Sequence, residues 1–211
     1  MTMHDLRVPP GRTYRYHRSP LYPFGAGLSL TQWELSGVRP ACLNALATAS
    51  TETCNLTLHV TNVGSRAGDC VVTAYFRSGA THEEWQARRA STLASGEVRS
   101  TLPPNIRPGD LLTPQRELFE FARVANVSVG EARTVVFAVS ASTLAQADEG
   151  SGDVVARAGA FELLFDTGSG FIKGKVGQAA RASGGLLAWN TTLVGSDVVV
   201  APFPSQHALE S

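Results

Sequence analysis

The sequence has 211 residues, 18 Lys plus Arg against 18 Asp plus Glu, and 43% hydrophobic residues. A zero formal charge, with no basic block interleaved with aromatics, gives no field to draw in a polyanion and argues against nucleic-acid binding. No apolar run approaches the roughly 20 residues of a membrane helix, and the length suits one domain with a real core plus tails.

Residues 1–28 are dense in Pro, Arg and Tyr, lack helical or strand periodicity, and read as a linker or the remnant of a preceding domain. Their first ten residues include His4, Asp5 and Arg7 and do not read as a secretory leader. In Tyr22-Pro23-Phe24-Gly25-Ala26-Gly27-Leu28-Ser29 a Pro and two glycines call for turns, and a strand is expected near residues 30–35. Residues 56–62 alternate strictly, which puts Leu56, Leu58 and Val60 on one face of a half-buried strand. A turn cluster over 62–69 and a β-branched and aromatic run over 70–76 predict a hairpin-like pair with that strand. Residues 117–124, 134–139 and 160–165 repeat the theme, with Gly130-Glu131 and Ala158-Gly159 as turns. Short strands between Gly-rich turns predict an all-β antiparallel sandwich over 29–168. Residues 77–113 interrupt it as a long insertion, in which Thr81 and Glu84 form the capping box of a short helix and Pro103, Pro104 and Pro108 mark irregular loop. Residues 169–211 read as a C-terminal extension, whose apolar patches at 186–189 and 198–200 are either extra strands or a loosely attached tail.

The residues that carry chemistry are few. Cys42, Cys54 and Cys70 show no Cys-x-x-Cys pair and no nearby His at ligand spacing, so no metal site is expected; either Cys42 and Cys54 bridge and leave Cys70 over, or all three are buried thiols. Asn55-Leu56-Thr57, Asn126-Val127-Ser128 and Asn190-Thr191-Thr192 fit the N-glycosylation acceptor and lean toward a secretory ancestry. No Gly-x-Ser-x-Gly elbow occurs. The segment starting His82-Glu83-Glu84 has Gln86 where a zinc-protease helix needs its second His, and His4, His17, His59, His82 and His207 are scattered and read as surface residues. Glu117 and Glu120, in a segment expected to be extended, point to opposite faces and make no glycosidase dyad. The stretch Leu163-Leu164-Phe165-Asp166-Thr167-Gly168-Ser169 resembles the aspartic-protease fingerprint, which implies a protease acting as a dimer through Asp166; the chain has no second such loop. The bland reading puts Phe161, Leu163 and Phe165 in a core, with Glu162, Leu164 and Asp166 alternating outward into a turn. No cofactor is implied by any of these patterns.

Gly11-Arg12-Thr13-Tyr14-Arg15-Tyr16 followed by Leu21-Tyr22-Pro23-Phe24-Gly25-Ala26-Gly27-Leu28-Ser29-Leu30-Thr31 resembles the junction into the last domain of glycoside hydrolase family 3, closest to the β-xylosidase-like branch. Val60-Thr61-Asn62-Val63-Gly64, Val71 to Phe76, Pro114 to Val124, Val129-Gly130-Glu131 with Val135-Val136-Phe137, and Gly159-Ala160-Phe161-Glu162-Leu163 are similar, in order, to that domain's strand motifs. The resemblance implies a fibronectin type III/immunoglobulin-like sandwich that carries no catalytic residue and is inactive alone. It implies as partners the catalytic domains of a parent β-xylosidase or β-glucosidase, and for the parent an extracellular or secretory setting. Ala26 and Leu30 depart from the family's usual residues there, and the 77–113 insertion is longer than it implies. A second reading is a free-standing carbohydrate-binding or adhesion module, with Trp33, Trp85 and Trp189 stacking on sugar rings.

Overall fold

The computed structural model describes residues 6–7, 11–17, 20–22, 24–78, 114–148, 151–168 and 185–204. In chain order the elements are a single helical turn α1 (Thr13–Tyr16) and the strands β1 (Trp33–Gly37), β2 (Leu46–Ala47), β3 (Cys54–Asn62), β4 (Gly68–Ser78), β5 (Glu117–Val127), β6 (Ala132–Val139), β7 (Gln146–Ala147), β8 (Val154–Ala156), β9 (Gly159–Asp166), β10 (Leu186–Val194) and β11 (Val198–Ala201). Short 3-10 turns at Ala41–Asn44 and Ser142–Leu144 insert Leu43 and Leu144 into the interior. The fold is all-β, as the sequence pattern requires.

Two sheets face each other. One is antiparallel in the order β1-β3-β6; the other runs β2-β10-β9-β4-β5 and is antiparallel except for the parallel pairing of β10 with β2. A small sheet β11-β8-β7 lies apart from both. Strict alternation explains β3: Cys54, Leu56, Leu58, Val60 and Asn62 are buried, with exposed or half-buried residues between them. On β6 the buried set is Val135, Phe137 and Val139. These two rows meet Val72, Ala74 and Phe76 of β4, Phe161, Leu163 and Phe165 of β9, and Trp189 and Leu193 of β10. Phe165 packs face-on with Phe137 at 5.6 Å and edge-on with Trp189 at 5.4 Å. Full burial of each such ring contributes about 1.5–3 kcal/mol, and the Phe137–Phe165 stack joins the two sheets directly.

Two expectations are corrected. The segments 56–62 and 70–76 do not form a hairpin: β3 pairs with β1 and β6, whereas β4 pairs with β5 and β9, and the chain crosses between sheets at residues 63–67. The signal for this was the unbroken apolar run of β4, since Val72, Thr73, Ala74, Tyr75 and Phe76 are all buried. Such a run belongs in a strand covered on both sides, not in a half-solvated hairpin arm. The first strand also starts at Trp33 rather than at residue 30. Of the two options beyond Gly168, the structure shows strands: β10 is inserted between β2 and β9, and β11 pairs with β8. Of the insertion expected over 77–113, Arg77 and Ser78 belong to β4, and residues 79–113, including the capping box at Thr81 and Glu84, lie outside the described residues.

Candidate functional site

The outer face of the five-stranded sheet is where the sequence motifs converge. Thr73 and Tyr75 of β4, Leu164 and Asp166 of β9 and Leu186 of β10 alternate with the core positions and therefore point away from the interior, yet all are buried. Part of their cover is Tyr14, Phe24 and Gly25, from the chain ahead of the sandwich. Tyr14 of α1 lies 5.8 Å from the Tyr75 ring and 5.1 Å from Phe24. Arg15 pairs with Glu117 at 2.6 Å, the Gln115 N–H donates to the Arg15 carbonyl at 2.6 Å, and the Leu118 N–H donates to the Tyr14 hydroxyl oxygen at 3.4 Å. The Arg116 guanidinium sits 4.4 Å above the Tyr75 ring. Burial raises the Tyr75 hydroxyl above its ordinary pKa and lowers Arg116 below its own. Arg116 is only 7% exposed, and only its place just ahead of a strand hinted at this.

Asp166 stands under this cover, at 1% exposure. The expectation that Leu164 and Asp166 alternate outward was right about direction and wrong about solvent, because a second layer of chain lies on that face. One Asp166 carboxylate oxygen accepts the Gly168 N–H at 3.0 Å, the Thr73 hydroxyl donates to the Asp166 carbonyl at 2.9 Å, and the Thr167 N–H donates to the Gly185 carbonyl at 2.9 Å. The Asp-Thr-Gly motif is thus an Asx turn that ends β9. Cys70, Tyr75 and Arg116 are among the groups that sense the Asp166 charge. Gly168 has φ 85°, and a Cβ there would fall 2.2 Å from the Gly25 carbonyl oxygen. The junction motif and the Asp-Thr-Gly turn, 140 residues apart in sequence, therefore touch backbone to backbone.

Other candidates disperse. Glu117 is occupied by Arg15 and by the Gln146 side-chain amide, which donates at 2.7 Å, while Glu120 is exposed. His59 lies on the open face of β3 beside the Thr134 hydroxyl at 3.3 Å, and His17 ends α1; His4, His82 and His207 lie outside the described residues. Among the described residues no group of three or more His, Cys, Asp or Glu is placed to hold a metal ion. Trp33, at 2% exposure, donates its indole N–H to the Ser29 hydroxyl at 2.8 Å, and Trp189 is 7% exposed. Neither offers a face to a sugar; Trp85 is outside the described residues. Cys42 and Cys54 form a disulfide with Cα atoms 5.7 Å apart. Cys70 is buried, and burial together with the Asp166 charge pushes its thiol up to about 12.

In the junction motif Phe24 is half exposed against Tyr14, Gly25 and Gly27 have positive φ, and Ser29 anchors Trp33; Pro23 is outside the described residues. Leu28 and Leu30 are 70% and 91% exposed and rim two shallow hollows with Val63. Beneath them Asn62, fully buried, donates through Nδ2 to the Arg66 and Val127 carbonyls at 2.7 and 3.0 Å. Its Oδ1 accepts the Thr31 hydroxyl at 2.8 Å and the Gly64 N–H at 3.1 Å. The Asn-x-Gly strand end was the visible trace of this hub. The sequon residues Asn55, Asn126 and Asn190 are all exposed.

Comparison with known proteins follows the same lines. Residues 105–169 match the fibronectin type III-like domain. Over 171 residues the chain is 28% identical to a probable exo-1,4-β-xylosidase of Neosartorya fischeri, and equally to one of Aspergillus fumigatus; each match covers 75% of this chain and 18% of the relative. Among solved structures, β-glucosidase 3B from Thermotoga neapolitana superposes with a TM-score of 0.54 at 21% identity, over 89% of this chain and 19% of that one. The β-glucosidase from Kluyveromyces marxianus does so with a TM-score of 0.55 at 20% identity, over 90% and 18%. The chain spans less than a fifth of the length of these relatives. Sandwich topology, motif order and these likenesses agree: residues 105–169 match a fibronectin type III-like domain, and the chain is similar to part of β-xylosidases and β-glucosidases.

Proposed function

We propose that this chain acts as the non-catalytic fibronectin type III-like module of a family 3 glycoside hydrolase of β-xylosidase or β-glucosidase type, packing against the catalytic domains and stabilising them. The observation that carries the reading is the asymmetry of coverage, with three-quarters of this chain matching under a fifth of each β-xylosidase. The residue chemistry supports it. The carboxylates considered for a dyad are spent on an ion pair or left exposed, and the Asp-Thr-Gly carboxylate is spent on a turn. Leu28, Leu30 and Val63 form an exposed apolar rim on the side where the chain enters the sandwich, a natural seat for a preceding domain. Of the tryptophans considered for sugar stacking, Trp33 and Trp189 are committed to the interior, and Trp85 lies outside the described residues.

The test uses the full chain with aryl β-xyloside and β-glucoside, alone and mixed with a family 3 enzyme fragment that lacks its own fibronectin-like domain. Alone, the chain gives no turnover; mixed, it raises the fragment's melting temperature, and Leu30→Asp abolishes the rise. Hydrolysis by the purified chain alone, or no effect on the fragment, overturns the reading.

A further inference from the structure

Three of the six asparagines lie in Asn-x-Ser/Thr sequons, and the fold treats them differently from Asn62, the asparagine it buries completely. Asn62 is followed by Val63-Gly64 and has no sequon; Asn55, Asn126 and Asn190 have sequons and are all exposed. In a strand, residues i and i+2 share a face, so the sequon's Asn and its hydroxyl residue travel together to solvent or to the core. On β3, Asn55 and Thr57 stand on the outer face while Leu56 is buried between them, and the residue opposite Asn55 is the small Ala138 of β6. On β10, Asn190 and Thr192 stand on the outer face while Trp189, Thr191 and Leu193 face inward. Asn126 sits at the end of β5 with φ 51°, a left-handed conformation that asparagine tolerates, and its backbone N–H is held by the Asp69 carboxylate at 2.9 Å. A register slip of one residue in either strand would have turned its sequon into the core.

A second observation, independent of the sequons, points to the same compartment. Cys42 and Cys54 are joined by a disulfide, a bond that persists in oxidising surroundings. Sequon glycosylation takes place in such surroundings.

From the exposed sequons and the disulfide we infer that Asn55, Asn126 and Asn190 are N-glycosylation sites, occupied when the chain passes through an oxidising secretory compartment. A glycan on Asn55 keeps the outer face of the β1-β3-β6 sheet in solvent, and one on Asn190 does the same for the open part of the β10 face. The bond formed is between the side-chain amide nitrogen and the anomeric carbon of the first sugar, with a lipid-linked oligosaccharide as donor and its pyrophosphate as leaving group.

The experiment secretes the full chain from a eukaryotic host behind an added leader and confirms the fold by circular dichroism and the disulfide by non-reducing peptide mapping. Peptide N-glycanase in heavy-oxygen water then converts each glycosylated Asn to labelled Asp, read by mass spectrometry. Label at all three positions supports the proposal. Folded, disulfide-bonded chain left unlabelled at any of them overturns it. Thr57→Ala, Ser128→Ala and Thr192→Ala each remove one step of the glycan ladder while leaving the asparagines in place. The outcome does not depend on the chain's role beside a glycosidase, since it involves neither substrate nor partner fragment.

Discussion

Asn62 makes four hydrogen bonds from a site with no solvent, joining the entry to β1, the 63–67 crossing and the end of β5. Asn62→Ala leaves the Val127 carbonyl and its neighbours without their donor, at a cost of about 3 kcal/mol in urea unfolding with unchanged m. Asn62→Asp keeps the acceptor but loses both donors and places a charge in the same spot, so it is the more harmful of the two at neutral pH. Equal stability of Asn62→Ala and the parent chain would rule the hub out. Cys70 illustrates a different property of burial. Its thiol rises from the ordinary 9.0 to about 12. Below pH 9 folded and unfolded forms are both protonated; above it only the unfolded chain ionises, so stability falls as pH climbs toward 12. At about pH 8, iodoacetamide therefore labels Cys70 only as fast as the molecule unfolds, with rapid native-state labelling as the contrary result. Asn62 was half legible, through the Asn-x-Gly pattern. The burial of Asp166 was not, because alternation gives the side a residue faces and says nothing of what a distant segment lays over it.

At the scale of elements, period-two alternation made β3 and β6 readable, since each has one wet and one dry face. Pairing was less accessible. The β3–β4 hairpin was expected from proximity in sequence, but β4 is apolar on both faces and needs a strand on each side and cover above and below. β10 stayed ambiguous because its apolar positions follow a long Gly-, Ala- and Ser-rich stretch that carries no period. The structure makes it the strand between β2 and β9, with Trp189 and Leu193 in the core. Ending the chain at residue 168 strips that row of contacts and leaves Leu163 and Phe165 without their cross-strand partners Trp189 and Leu187. The truncated protein is expected to lose cooperative thermal unfolding and to be cut throughout by low protease concentrations. A sharp melt at the parent temperature would show that β10 is dispensable.

For the whole molecule, the five-stranded sheet is covered on its second face around Tyr75 and Asp166, where Tyr14, Phe24 and Gly25 lie. This explains why the junction motif and the Asp-Thr-Gly turn appear in one chain without any shared chemistry. They are two halves of a single backbone contact, Gly25 against Gly168, and the carboxylate between them closes a turn. The parallel pairing of Leu193 and Val194 with Leu46 and Ala47 has a temporal meaning too. A nascent chain emerges from the ribosome from its N-terminus, so β2 must wait nearly 150 residues for its partner. The Cys42–Cys54 loop is complete early in synthesis, whereas the sheet beside it closes only after residue 194 has left the exit tunnel. Until then the edge of β9 that β10 pairs with has open backbone groups, and that interval is when the chain is most exposed to chaperones and to aggregation.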